Sequence, residues 1–72
     1  MQIRYRADAD VLLVILRDQA PVDAVEEPGG VIVSYGEDGE PVSVEFLNAS
    51  VRGLILPGEV NVTIHTEGLA DT

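Results

Sequence analysis

Apolar and polar residues alternate with period two along most of this chain, the pattern of strands with one face turned from water. Ile3 and Tyr5 alternate with Gln2, Arg4 and Arg6 to predict a first strand. The link Ala7-Asp8-Ala9-Asp10 has hairpin length. Val11 to Leu16 is unbroken and rich in branched side chains, which predicts a central strand covered on both faces. Val22 to Glu27 is a weaker strand, ended by the turn Pro28-Gly29-Gly30. Val31 to Tyr35 and Val42 to Leu47 flank Gly36-Glu37-Asp38-Gly39-Glu40. Asp38-Gly39 predicts a tight hairpin turn there, because both residues tolerate positive φ. Val60, Val62 and Ile64 alternate with Asn61, Thr63 and His65 as a possible last strand.

No stretch of twelve or more residues has helical periodicity. Asn48-Ala49-Ser50 can cap one helical turn, which Gly53 and Pro57 confine to residues 48–53. The expected fold is mainly β: an antiparallel meander of five to six strands, with at most one short helical turn. Residues 1–66 form the single domain and 67–72 a frayed tail.

Size sharpens the picture. A chain of 72 residues sits near the lower limit for folding alone. There is no cysteine and one histidine, so disulfides, thiolate sites and a paired-histidine zinc site are excluded. A second copy is the support left open, and exposed sheet edges would favour it too. A homodimer is expected. The longest apolar run is far too short to span a bilayer, and the N-terminus lacks the pattern of a signal peptide. A cytoplasmic location without membrane contact follows as the expectation.

Charge narrows the partners. Thirteen acids face four arginines, for a net charge of −9. From Asp18 to Val51 there are eight acids and no basic residue. Such a surface repels a phosphate backbone, so direct nucleic-acid binding is disfavoured. It suits solubility, a basic protein partner or a divalent cation.

Candidate chemistry is sparse. Asp8 and Asp10 form a paired-carboxylate motif, weak as a metal site because hard cations take more oxygen ligands. Asp38 and Gly39 read as turn formers. Glu45 lies mid-strand, either on the solvated face or paired with Arg4, Arg6 or Arg17; as a general base it would need a raised pKa and a nearby partner. His65 lacks an identifiable orienting group, and Ser34, Ser43 and Ser50 lack a nucleophile-elbow context. No enzyme and no cofactor is expected.

Two stretches carry a resemblance. Ile3-Arg4-Tyr5 with Asp8-Ala9-Asp10-Val11-Leu12, and Gly30 to Tyr35 with Glu37-Asp38-Gly39 and Val42 to Ser50, resemble a small prokaryotic family, domain of unknown function 2283. Arg6, Asp8, Leu13-Val14, Ser34 and Ser43 depart from its usual residues, and the resemblance ends near residue 52. It implies a compact β-rich domain without an assigned reaction, and a partner of the basic, toxin-like kind. The leading expectation is a non-enzymatic protein-interaction module; the alternative is a divalent-cation-binding domain using Asp8 and Asp10.

Overall fold

The computed structural model describes residues 1–59 and 61–68. Five strands form: β1 (Gln2–Arg6), β2 (Val11–Ile15), β3 (Asp23–Glu27), β4 (Val31–Tyr35) and β5 (Pro41–Leu47). They make one antiparallel sheet in the order β1-β2-β5-β4-β3. The meander is interrupted once: β2 pairs with β5, and the chain crosses from β2 to the far edge to begin β3. Val11–Ile15 is therefore not the central strand. That place belongs to β5, the longest, which pairs on both sides.

Register sorts the side chains onto two faces, because residues directly opposite in an antiparallel pair point the same way. One row crosses the whole sheet as Ile3, Val14, Val44, Val33 and Val25. The adjacent row on that face runs Tyr5, Leu12, Phe46, Val31 and Glu27. We call this the valine face. The opposite face carries the row Arg4, Leu13, Glu45, Ile32 and Glu26.

Neither face is closed. Every residue of β2 and β4 is only half-buried, whereas the apolar run of β2 predicted cover on both sides. Among the described residues three apolar side chains are buried: Val42 at 2 %, Ala49 at 0 % and Ile55 at 7 % exposure. The chain after β5 turns once and returns toward the β1–β2 end of the valine face. There Leu54, Ile55, Asn61, Val62 and Thr63 line an open groove of about 300 Å3 with Ile3, Leu12 and Val14.

The expected helical turn is a single loop of chain. Arg52 N–H donates to the Asn48 carbonyl at 3.1 Å, one i→i+4 bond and no more. Gly53 N–H then bonds to Ser50 O and Leu54 N–H to Ala49 O, each at 3.0 Å, the paired closure that ends helices. Gly53 takes the required left-handed conformation at φ 80°. Of the alternation expected as a last strand, Asn61 to Ile64 lie outside the sheet, and Val60 lies outside the described residues. Of the tail, Leu69 to Thr72 also lie outside them.

The Gly36–Glu40 connection, where Asp38-Gly39 predicts a tight hairpin, joins β4 to β5. Gly36 N–H donates to Glu40 O at 2.9 Å and Gly39 N–H to Gly36 O at 3.0 Å, enclosing a three-residue loop. Gly39 alone there has positive φ, at 82°. Gly30, at φ 81°, is tighter, since an added Cβ would lie 3.4 Å from both the Leu47 Cβ and an Arg52 nitrogen. G39A is expected to lower unfolding free energy by about 1 kcal/mol through backbone strain alone. G30A carries the same strain plus crowding, so urea titrations are expected to rank it the more damaging.

Candidate functional site

Three side-chain constellations organise the polar groups, and two of them lock the ends of the sheet. The first joins the β1–β2 hairpin to the turn after β5. Asp10 sits at φ 56°, a left-handed position that Asp tolerates better than most residues. Its Oδ1 accepts the Tyr5 hydroxyl at 2.8 Å and the Ser50 backbone N–H at 3.0 Å. Its Oδ2 accepts the Ser50 hydroxyl at 2.6 Å, and its own carbonyl accepts Ala49 N–H at 3.0 Å. These bonds, the Ser50 hydroxyl's first and the Tyr5 hydroxyl's next, hold the Asp10 carboxyl below its usual range. The same carboxylate raises the Tyr5 phenol.

The second lock is at the opposite end. Arg17 Nη1 and Nη2 donate to Asp38 Oδ2 and Oδ1 at 3.0 and 3.1 Å, a fork-on-fork pair. The same guanidinium reaches the carbonyls of Glu40 and Pro41 at 3.2 and 3.3 Å. Asp38 Oδ1 also accepts Glu40 N–H at 3.1 Å. The Arg17 bond, ahead of that backbone bond, drives Asp38 down to about 2. Asp38 thus shapes its own hairpin and ties it to the chain leaving β2. At the end of the sheet that holds the first lock, Arg52 Nε donates to Leu47 O at 2.7 Å, and its guanidinium lies over Gly29 and Gly30.

The third constellation is the Glu45 face. Glu45 is half-buried at the middle of β5, between Leu13 and Ile32. The arginine pairing expected for it does not form. Arg17 is engaged with Asp38, which is the ion pair among the described residues. Arg4 shares the Glu45 row but is two strands away, roughly 10 Å, with Leu13 between them. Arg4 instead donates to Gln2 Oε1 at 3.1 and 3.3 Å. A shallow groove of about 350 Å3 beside β1 contains Gln2, Arg4, Ile15 and Arg17, and Glu45 is outside it.

Asp8 is exposed in the Ala7–Asp10 turn, and both Asp10 oxygens are engaged with Tyr5 and Ser50. Among the described residues no three acids or histidines gather where they could hold a metal ion. His65 is exposed. Among the same residues, no helix is long and apolar enough to cross a membrane.

A family model described as a protein of unknown function, DUF2283, matches residues 2–50. The chain belongs to this family. No curated protein and no solved structure matches it. The DUF2283 stretch contains all five strands and ends on Ser50, the residue that bonds to Asp10. The last residue of the family segment is thus tied to the β1–β2 hairpin. Sequence reasoning missed that lock because its partners lie 40 residues apart. The available signal was that both Asp10 and Ala49-Ser50 fall in the stretches resembling DUF2283.

The locks define a pH window. Asp10 and Asp38 are depressed in the folded state, so their contribution is complete above the ordinary carboxylate range and is lost as pH falls toward 2. Tyr5 is raised, so its contribution is complete below pH 10 and is lost above it. Acid titrations followed by circular dichroism are expected to show D10A and D38N destabilised at pH 7, with the difference from the parent shrinking toward pH 2. D10N, which keeps an acceptor and tolerates positive φ, is expected to fall between D10A and the parent.

Proposed function

We propose that this DUF2283 domain is a non-enzymatic protein-interaction module whose Glu45 face docks a basic segment of a partner protein. The observation that carries this reading is Glu45 itself. It is a half-buried carboxylate ringed by Leu13, Ile32, Leu47 and the β5 serine Ser43, and no arginine of the described chain neutralises it. Any partner that covers this face removes water from Glu45. Burying an unpaired carboxylate is costly, so a covering surface must bring a cation to it. A ligand alternating Lys or Arg with aliphatic residues fits both the carboxylate and the surrounding apolar rows.

Bulk charge supports the same polarity. The net charge of −9 draws basic partners toward the molecule and holds nucleic acid away. Neither groove described above contains Glu45. Recognition needs no groove; general-base chemistry would need an enclosed partner for the carboxylate.

A synthetic peptide alternating arginine and leucine serves as a probe in 15N-resolved NMR titrations. Shifts are expected to centre on Leu13, Ile32 and Glu45, and binding is expected to weaken as salt rises. E45Q, nearly isosteric, is expected to lose about tenfold in affinity, consistent with removing a desolvated charge partner. Shifts confined to Glu37 and Glu40, or an E45Q loss no larger than that of E37Q, would refute the assignment.

A further inference from the structure

We infer that the valine face is a self-association surface, on which a second copy of this chain packs face to face. The row Ile3, Val14, Val44, Val33 and Val25 crosses all five strands without a charged residue. Its outer member Val25 is 42 % exposed, and the β4 residues behind it are only half-buried. The segment Leu54 to Thr63 reaches the β1–β2 end of this face, and the β3–β4 end is left open to water.

Surface area argues for a covering layer of this size. A monomer of 7.7 kDa ordinarily exposes about 4,300 Å2, whereas this chain exposes 5452 Å2. The excess is roughly 1,100 Å2, against about 800 Å2 that each partner buries in a standard interface. The exposed residues Asn61 to Gly68 and the half-buried sheet faces both contribute to that excess. The radius of gyration agrees: 14.3 Å, where about 11 Å is usual for this length.

Charge selects which face meets its own copy. Glu45 stands at the centre of the central strand, so a two-fold through the other face would set it against its twin. The valine face places its acids, Asp23 and Glu27, on edge strand β3, at the rim of such a contact. Rim carboxylates remain hydrated and limit further stacking. Because each copy carries −9, screening favours the contact. Its salt response is therefore opposite in sign to that of the basic partner.

Sedimentation equilibrium of the intact chain, at low and high salt, tests the inference. The expected species has twice 7.7 kDa, with a dissociation constant unchanged or tighter in high salt. V33T with V44T keeps side-chain shape and β-branching and is expected to weaken the dimer at least tenfold. V25K, on an exposed edge strand, is a second variant that a folded monomer tolerates, with the same expected direction. E45Q is expected to leave association intact, which separates this contact from the docking face. A folded monomer at all attainable concentrations would overturn the inference. So would a dimer that V33T/V44T and V25K leave unchanged, since its contact would lie elsewhere, including at a sheet edge.

Discussion

A single sheet has two faces and this chain has almost nothing to lay over either. That shortage of cover governs the rest of the structure. Five strands satisfy one another's backbone groups, yet the side chains between them remain half in water. With Val42, Ala49 and Ile55 as the buried apolar side chains among the described residues, the hydrophobic gain available to one copy is small beside the entropy cost of ordering the chain. Cover from outside would resolve the shortage, and the two faces differ in what they can accept.

Polar bonding compensates at the ends, where strands give way to turns. Asp10 joins a left-handed turn residue, the Tyr5 hydroxyl and the Ser50 turn in one carboxylate. Arg17 does the same at the other end through Asp38 and two backbone carbonyls. Both join segments distant in sequence, as a core would in a larger domain. Neither depends on enclosed apolar volume, which suits a chain that has little. Their acids are thereby committed to architecture, which leaves Glu45 as the half-buried carboxylate free to meet a partner.

Period two made the strands legible, and the boundaries of β1, β4 and β5 follow the alternation closely. Strand order was not legible, because alternation says which face a residue occupies and nothing about which strand lies beside it. The run Val11–Leu16 looked central for want of polar positions, although its apolar residues on both sides reflect two apolar faces rather than burial. Asn61 to Ile64 show the converse, an alternating segment that gains no neighbour strand among the described residues. Asp10 was visible as an acid but not as a lock, since its role depends on Ser50. Glu45 stood out early, and what the fold added was the distance that denies it Arg4.

The two proposals divide between the two faces: the valine face is proposed to meet its own copy, and the carboxylate-centred face a cation-bearing partner. Self-association is the claim on which the stability account rests, because it supplies the layer that one chain lacks. Urea unfolding of the intact chain over a hundredfold range of protein concentration tests it most directly. Coupled folding and association predicts a midpoint that rises with concentration, since unfolding releases two chains from one dimer. A midpoint constant across that range, with a single cooperative transition, would show that one copy is sufficient and contradict the account.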